Sequence, residues 1–412
     1  MGSKFPVTLL DKIKQYATHA QTPVSLKQMV EFGRVPSQAT LLSATRFAHH
    51  ELPIRLAYRV VELESLPHSL SEMPSVIKVK DWYTQSFNEL IEFPKPEDYG
   101  VPRSAIVQKT GPVKYYNDAV NQPPSPPPPE LVAYNNEFSK TLENIKRRHD
   151  PVVTTLAQGI QEVKDHWNRQ SSPLTSDVTG VPLPSAVQQF LDRFYLSRIG
   201  IRMLIGQHVS LAKSAIDPRS TPPDHVGIIC TKTNLRKVAQ EAADNARFIC
   251  QEYYGLWGGP EIKLLSSEDI EFMYVPSHLH HMLFELLKNS LRAVVERFGE
   301  DADSYPEIRV VVAAGKEDIT IKVSDEGGGI PRRGMPLIWT YLYTTASTPM
   351  LEEGYNKSDF KAPLAGFGYG LPLSRLYARY FGGDLRLISM EGYGTDAYLH
   401  LSRLSDSEEP LQ

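Results

Sequence analysis

The chain has 412 residues, of which 44 are Lys or Arg and 48 are Asp or Glu, so its formal net charge is −4. This near-neutral balance argues against a protein whose main activity is binding nucleic acid backbones, and an apolar content of 41% argues against global disorder. No apolar run approaches the ~18 residues that a membrane-spanning helix needs. The two cysteines, Cys230 and Cys250, cannot form a disulfide framework and are expected to be buried thiols in a reducing compartment.

The first 215 residues are predicted to be almost entirely helical. Apolar residues recur at helical spacing in the segments 9–16, 41–48, 56–63, 152–160 and 185–211. Strand-like alternation is nearly absent from this part of the chain. Long amphipathic helices joined by loops favour a bundle, so residues 1–218 are predicted to form an all-α, four-helix-bundle-like domain. The N-terminus lacks the Arg- and Ser-rich amphipathic character of a transit peptide.

Proline is unusually frequent, with 32 residues against an average usage of about 5%. The prolines concentrate in residues 94–130, and the run Gln-Pro-Pro-Ser-Pro-Pro-Pro-Pro-Glu at 122–130 cannot form a helix or a central strand. Residues 95–132 are therefore predicted to be an exposed insertion between two helices. The insertion is interpreted either as a docking segment for a proline-binding module or as a solvated linker, and the lack of a specific motif favours the linker.

A second proline-containing loop at 217–224 marks the end of the helical domain, and the pattern then changes. The apolar run 226–230 is followed by predicted helices at 235–253, 279–298 and 371–381 and by predicted strands at 308–314, 319–324, 384–390 and 395–402. Residues 225–404 are thus predicted to form an α+β domain in which helices cover a mixed sheet, with a short tail at 405–412. The length of the chain suggests two or three domains, and these patterns narrow the predicted number to two.

The helix 279–298 carries polar residues at i, i+4, i+7, i+8 and i+11, which places them on one face opposite an apolar stripe from Leu279 to Phe298. These residues are His281, Glu285, Lys288, Asn289 and Arg292. An ordinary solvated face is the alternative, but Asn is a modest helix former where Glu or Lys would suit solvent better. An amide oxygen one turn from a carboxylate can bind Mg²⁺ while the carboxylate orients a nucleophile. A zinc site that includes His278 and His280 is disfavoured because the spacing His-x-x-x-His is lacking.

Two glycine-rich motifs follow this helix. The sequence Asp-Glu-Gly-Gly-Gly-Ile at 325–330 ends a predicted strand, where glycines let the backbone approach a planar ligand and the Asp can accept a hydrogen bond from an amine such as that of adenine. A glycine turn with an Asx cap is the alternative. The sequence Gly-Phe-Gly-Tyr-Gly-Leu-Pro at 366–372 precedes a helix whose N-terminal amides suit phosphate. No βαβ unit surrounds it, so it is not the dinucleotide fingerprint.

The order of the three motifs resembles the N, G1 and G2 boxes of the GHKL superfamily, which has an ATP-binding α/β sandwich of the Bergerat type. The resemblance implies that Glu285, Lys288 and Asn289 face the phosphates of ATP, with Asn289 on Mg²⁺. It implies that Asp325 binds the adenine amine, that Thr395 supports the adenine pocket, and that a lid spans 343–365. Further nucleotide contacts are implied for Arg292, Gly327, Gly329, Thr344, Thr345, Gly366, Phe367, Gly368, Tyr369, Gly370 and Leu371, with K⁺ near the same site.

Longer segments resemble the mitochondrial protein kinases, and most of all the pyruvate dehydrogenase kinases. They are residues 24–33, 51–57, 194–204, 275–289, 341–349, 363–372 and 390–397. The resemblance implies an ATP-dependent kinase of the mitochondrial matrix that phosphorylates a serine of the pyruvate dehydrogenase component and so inactivates it. Glu285 would be the general base, His281 would tune or hold it, and Lys288 would neutralise the moving phosphoryl charge. Residues 227–231 look more like the branched-chain ketoacid dehydrogenase kinase, so the choice between these substrates stays open.

The resemblance also implies a regulatory site and partners. Tyr83, His149, Arg198 and Arg202 match the family's pocket for pyruvate or dichloroacetate, whereas without the resemblance surface salt bridging is the preferred interpretation. The helical domain would serve regulation and docking, and a homodimer would form through the C-terminal sheets. Family members often end in an extension with an Asp-Trp pair that builds the site for the lipoyl domain of the acyltransferase core. Residues 405–412 lack that pair, so lipoyl docking stays open.

Other protein classes remain as alternatives. A histidine kinase needs a phosphoacceptor histidine on a helical hairpin, and His149-Asp-Pro151 lacks the usual Arg-Thr-Pro sequel. A chaperone-type ATPase usually has further domains that this sequence does not contain. A non-catalytic scaffold is disfavoured because the polar residues of the helix, the strand-end Asp325 and the glycines occur together.

Overall fold

The computed structural model describes residues 7–67, 69–106, 126–170, 183–217, 219, 221–266, 270–344 and 368–411. These residues fall into two compact units. One lies within Met1–Ser176, Ser197–Ile229 and Pro410–Gln412, and the other lies within Asp177–Leu196 and Cys230–Glu409. Among the helices described, none combines the length and the apolar character needed to cross a membrane.

The first unit is built from helices. They are α1 (Val7–Tyr16), α2 (Leu26–Gly33), α3 (Gln38–Glu64), α4 (Pro74–Ile91), α5 (Arg103–Ile106), α6 (Pro129–Arg148), α7 (Val152–Gln170) and the part of α8 (Ser185–Ile216) after Leu196. Ser25 begins α2 with a reciprocal capping box to Gln28, and Ser37 caps α3 by accepting a hydrogen bond from the Thr40 amide. The helical character predicted for the N-terminal half is confirmed.

Several helix boundaries differ from the expectation. The segments 41–48 and 56–63 belong to one helix, α3, which continues through the buried Pro53 because its packing against α1, α4 and α6 outweighs the local preference. Helices α2, α4 and α6 lie outside the predicted segments. Both α4 and α6 begin with a proline, a residue that signals a loop in a sequence but is compatible with the first turn of a helix.

The expectation that residues 95–132 form an exposed insertion is wrong at both ends of that segment. Val101, Ile106 and Leu131 are buried in one cluster with Leu42 of α3 and Tyr134 of α6. These apolar side chains flank the proline run and join the core because burying them removes apolar surface from water. Residues 107–125, the middle of the segment, lie outside the described part of the chain.

The second unit contains a five-stranded sheet in the order β3-β5-β6-β8-β7. The elements in chain order are β1 (His225–Val226, in the first unit), β2 (Ile229–Asn234), α9 (Leu235–Tyr254), β3 (Ile262–Ser266), β4 (Glu271–Tyr274), α10 (Pro276–Phe298), β5 (Ile308–Ala314), β6 (Asp318–Asp325), α11 (Gly370–Tyr380), β7 (Asp384–Met390) and β8 (Gly394–Ser402). Strands β3 and β5 pair in parallel and the other neighbours pair antiparallel, so the predicted mixed sheet is confirmed. Strands β3 and β4 were not predicted, because they are short and β3 is only half-buried.

Helix α10 is held centrally, against α9, α11 and strand β6. Its side chains from Leu279 to Val295 are buried at most positions, while Phe298 is 43% exposed. The expectation that Phe298 belongs to the apolar stripe is therefore wrong, because the helix ends there and Gly299 follows as its cap. Cys230 and Cys250 are free and buried, in agreement with their expected character.

Candidate active site

The three sequence motifs meet around one cavity of about 470 Å³ in the second unit. The cavity is bounded by α10, the loop after β6, strand β8 and the beginning of α11. Predicted residues that line it are Glu285, Lys288, Asn289, Arg292, Asp325, Gly327, Gly329, Thr344, Gly368, Gly370, Leu371 and Thr395. The cavity combines charged side chains with glycines whose backbone is accessible, which suits a ligand that has both a charged part and a planar part.

Glu285 and Lys288, which both line the cavity, form a buried ion pair. The Lys288 Nζ donates to Glu285 Oε1 at 2.8 Å, and both side chains are less than a tenth exposed. Burial alone would raise the pKa of Glu285, but the charges of Lys288 and then His281 outweigh it and leave that pKa below its ordinary value. The carboxylate is therefore ionised near neutral pH, as a proton acceptor must be.

The first residue of α11 packs directly on this carboxylate. A Cβ added to Gly370 would lie 2.3 Å from Glu285 Oε2, so no larger residue fits without a shift. His281 is half-buried and does not line the cavity, but its charge contributes to the lowered pKa of Glu285. Its ring makes an edge-to-face contact with Tyr377, with the ring centroids 5.1 Å apart. The charge of His281 thus influences Glu285, although the His281 side chain does not line the cavity.

Asp325, which also lines the cavity, accepts hydrogen bonds from three different elements of the fold. Its Oδ2 accepts from the Ser290 hydroxyl at 2.9 Å, and its Oδ1 accepts from the amides of Gly327 at 2.9 Å and Thr395 at 3.3 Å. Burial raises the pKa of Asp325, and the hydrogen bonds from Gly327, Ser290 and Thr395 counteract that rise. The carboxylate thereby joins α10, the loop after β6 and strand β8.

Two glycines of the motifs have backbone conformations and contacts that exclude a side chain. Gly329 has φ +71°, and a Cβ there would lie 2.1 Å from the Met390 carbonyl oxygen. Gly368 has φ +74°, and a Cβ there would lie 2.5 Å from the Tyr343 carbonyl oxygen. Both positions are strained for residues with a side chain, so glycine is required for the backbone to close around the cavity.

The structure also gives functional positions to residues that the motifs did not indicate. Ser290 contacts Asp325, although only its place next to Asn289 in the sequence hints at the site. Arg297 lines the cavity and donates to the carbonyl oxygens of Glu326 and Tyr393, at 2.6 Å each, and of Gly392 at 3.0 Å. Because its acceptors are backbone atoms, no sequence signal reveals this role.

Other predicted residues lie elsewhere or outside the described residues. Tyr369 is buried against Tyr195 and Tyr341 and does not line the cavity, because its ring points into an aromatic cluster. Arg292 lines the cavity but pairs with Glu296 at 2.6 Å. Thr345, Gly366, Phe367 and most of the lid at 343–365 lie outside the described residues.

The residues predicted to bind a small carboxylate come together in the first unit. Tyr83 and His149 stack with ring centroids 4.4 Å apart, and both are buried. Arg198 is also buried and donates to the His149 and Asp150 carbonyl oxygens at 3.4 Å, while Arg202 pairs with the Asp150 carboxylate at 2.8 Å. Surface salt bridging therefore does not describe Arg198.

The electrostatics of this cluster place two uncharged rings beside cationic arginine side chains. Burial, followed by the charges of Arg198 and Arg148, lowers the pKa of His149 to about 3. Burial raises the pKa of Tyr83 to about 12. At neutral pH both rings are thus uncharged, and the positive charge resides on the arginines.

Comparison with known proteins agrees with the site. Residues 23–230 match the family described as mitochondrial branched-chain alpha-ketoacid dehydrogenase kinase, and residues 274–405 match the histidine kinase-, DNA gyrase B-, and HSP90-like ATPases. The mitochondrial pyruvate dehydrogenase (acetyl-transferring) kinase of Arabidopsis thaliana is 46% identical over 409 residues, which cover 99% of this chain and 97% of that protein.

Two further relatives carry the same name. The mitochondrial enzyme of Schizosaccharomyces pombe is 43% identical over 439 residues, with 98% of this chain and 99% of that protein covered. Isozyme 3 of Mus musculus is 40% identical over 400 residues, with 96% and 84% covered. Because this similarity extends over nearly the whole chain and the site residues surround one cavity, the chain belongs to the family of mitochondrial pyruvate dehydrogenase (acetyl-transferring) kinases.

Proposed function

We propose that this ATP-dependent kinase transfers the γ-phosphoryl group of ATP to a serine of the pyruvate dehydrogenase component, in the mitochondrial matrix, and so inactivates that component. The observation that carries the proposal is the meeting of Glu285, Lys288, Asn289 and Asp325 around one cavity. The names of the relatives support the choice of protein substrate.

ATP binds with its adenine at the Asp325 end and its phosphates at the Glu285 end. The Asp325 carboxylate accepts a hydrogen bond from the adenine amine, and Thr395 supports that end of the cavity. The amides of Gly368 and Gly370, at the beginning of α11, face the phosphates, and Lys288 neutralises part of their charge. The other motif residues that line the cavity act as nucleotide contacts, and so do Thr345, Gly366 and Phe367, which lie outside the described part of the chain. Tyr369 supports the site from the aromatic cluster instead.

Asn289 fits the role of Mg²⁺ ligand because its side chain is exposed and lines the cavity next to Lys288. Mg²⁺ commonly takes only one or two protein oxygens and completes its shell with phosphate oxygens and water. When bound, the ion offsets phosphate charge during transfer. A K⁺ site near the nucleotide belongs to the same proposal.

Glu285 acts as the base that orients the serine hydroxyl and accepts its proton at Oε1 or Oε2. The lowered pKa keeps the carboxylate ready to accept a proton, and its contact with Gly370 fixes the carboxylate beside the beginning of α11. His281 holds and tunes Glu285 from outside the cavity. Catalysis thus rests on positioning and electrostatics rather than on a covalent intermediate.

We expect labelled ATP to transfer its terminal phosphate to the pyruvate dehydrogenase component as acid-stable phosphoserine, with parallel loss of dehydrogenase activity. The branched-chain dehydrogenase component is the matched alternative substrate, favoured by residues 227–231 and by the family match over residues 23–230. Faster labelling of that component would reassign the substrate. Acid-labile phosphate on the kinase itself would indicate a histidine kinase, and hydrolysis without any transfer would indicate an ATPase.

Tyr83, His149, Arg198 and Arg202 are proposed to bind a small carboxylate such as pyruvate or dichloroacetate. Support comes from the burial of the Arg198 guanidinium beside a neutral imidazole, since a bidentate cation in a dry site favours a carboxylate. We expect Arg198→Lys to weaken inhibition by dichloroacetate about 10-fold, because it keeps the charge but loses the fork geometry. Inhibition curves measure this, with the exposed Arg147→Lys as control. Equal inhibition of both variants would contradict the assignment.

The organisation of the whole chain is proposed along the same lines. Residues 1–218 form a regulatory and docking domain whose long helices make a four-helix bundle, and residues 225–404 form the ATP-binding domain, followed by the tail 405–412. The chain forms a homodimer through its C-terminal sheets, and lipoyl domains of the acyltransferase core are candidate partners. The packing of α3 against α4 and α6, and of α4 against α7, supports the bundle.

A further inference from the structure

The beginning of α8 belongs to the unit that contains the cavity. Its residue Gln188 hydrogen-bonds to the backbone of Trp339 and Tyr341, shortly before Tyr343 and Thr344, which line the cavity. The Gln188 Nε2 donates to the Trp339 carbonyl oxygen at 3.0 Å, and its Oε1 accepts from the Tyr341 amide at 3.2 Å. One side-chain amide therefore satisfies a backbone donor and a backbone acceptor two residues apart. Such a pair of bonds fixes the position of this segment along α8.

One turn further along α8, Asp192 accepts a hydrogen bond from the Tyr341 hydroxyl at 2.7 Å. Tyr341 is buried, and burial together with the Asp192 charge raises its pKa far above the ordinary value, so the hydroxyl stays a donor. Burial also raises the pKa of Asp192, although the bond from Tyr341 and the charges of nearby arginines counteract this. Hydrogen bonds of this kind, with a charged acceptor, are stronger than neutral ones.

Tyr341 also packs in an aromatic cluster, and it lies two residues before Tyr343, which lines the cavity. Its ring lies 5.4 Å from that of Tyr195 and 5.2 Å from that of Tyr369, between centroids. Two residues beyond Tyr341, the backbone of Tyr343 is in close contact with Gly368, and Gly370 packs on Glu285. The backbone that bears the phosphate-facing amides is thus held from α8 through a short chain of contacts.

We propose that Gln188 and Asp192 are positioning residues that fix the phosphate end of the nucleotide site. Neither residue lines the cavity, and neither belongs to the three motifs. They act by holding Trp339 and Tyr341, and through them the neighbouring Tyr343 and Gly368. This inference rests on the proposed function, since it assigns the Glu285 end of the cavity to the phosphates of ATP.

The adjacent residues Gln188 and Gln189 offer a matched test. Gln189 lies on the same helical turn but is exposed, and among the described residues its side chain hydrogen-bonds only to the Ser185 hydroxyl, at 3.4 Å. We expect Gln188→Ala to weaken calorimetric Mg-ATP binding on the order of 10-fold, because two hydrogen bonds are lost. Gln189→Ala is expected to bind as the wild type does. Equal affinity of the two variants, or a lower melting temperature of Gln188→Ala with normal ATP affinity, would overturn the proposal.

A second pair of variants keeps the test decisive if Gln188→Ala does not fold. Asp192→Asn retains an oxygen acceptor for Tyr341, so it is expected to lose less ATP affinity than Asp192→Ala; equal losses would refute the role of this bond. Calorimetry needs no protein substrate, which separates this inference from the proposed function. A wild type that binds Mg-ATP but phosphorylates neither dehydrogenase component would refute the function alone.

Discussion

Glu285→Gln is expected to lower the rate of phosphoryl transfer about 10²–10⁴-fold, the range that general base catalysis contributes. Glutamine has nearly the shape of glutamate, so it fits against Gly370, but its amide cannot accept the serine proton. ATP binding should persist because the adenine end of the cavity is unchanged. Single-turnover transfer of labelled phosphate and calorimetric ATP binding, measured on the same preparation, check this. Retained turnover with normal nucleotide affinity would refute the assignment of the base.

The pH dependence of the wild-type reaction gives an independent check on the same residue. Because the pKa of Glu285 lies below its ordinary value, activity should fall only at pH values below those typical of a free glutamate. In Lys288→Met the attraction that lowers this pKa is lost, so the acid limb should move to higher pH. An acid limb that stays in place would mean that Glu285 is not the titrating group.

Asn289→Ala is expected to bind Mg-ATP at least about 10–100-fold more weakly than the wild type. Removal of a residue that only supports a metal ligand typically lowers metal affinity by that factor, and Asn289 is proposed to be a ligand itself. The variant removes the only side-chain amide oxygen that lines the cavity among the described residues. Because Asn289 is exposed rather than packed in the core, the fold should be retained. Isothermal calorimetry with Mg-ATP measures the loss.

Two controls accompany this measurement. Asn289→Asp keeps an oxygen ligand and should retain most of the Mg-ATP affinity. ATP in the presence of a chelator should bind the wild type and Asn289→Ala about equally, because no metal is then involved. Unchanged Mg-ATP affinity in Asn289→Ala would remove this residue from the metal site.

Local patterns were sufficient for much of the site. The polar face of α10, the Asp that ends β6 and the glycines before α11 are each contiguous or helically spaced, so their chemistry is visible in the sequence. Asp325 was predicted as a strand-end acceptor, and the structure confirms that β6 ends there. The strands β5 and β7 were predicted with their observed bounds because a turn sequence follows each of them, at 315–318 and at 391–394.

Contacts between distant parts of the chain were beyond such patterns. Gln188 hydrogen-bonds to Trp339, which lies 151 positions later in the sequence. The exposed Arg297 donates to backbone carbonyl oxygens, which every residue has, so no particular residue type marks its partners in the sequence. Val101 and Leu131 looked like parts of a linker because prolines surround them, yet the apolar cluster with Leu42 buries both. In each case the contacts and the burial of the side chain depend on tertiary packing, which local sequence patterns do not reveal.

The three donors around Asp325 have a consequence for the choice of nucleotide. In the proposed binding mode, the Asp325 carboxylate accepts a hydrogen bond from an amine at the sixth position of a purine, whereas guanine would present a carbonyl oxygen there, which an ionised carboxylate repels. Ser290, Gly327 and Thr395 hold the carboxylate in place, so it cannot turn away to admit guanine. The kinase would therefore respond to the adenylate pool of its compartment and ignore GTP.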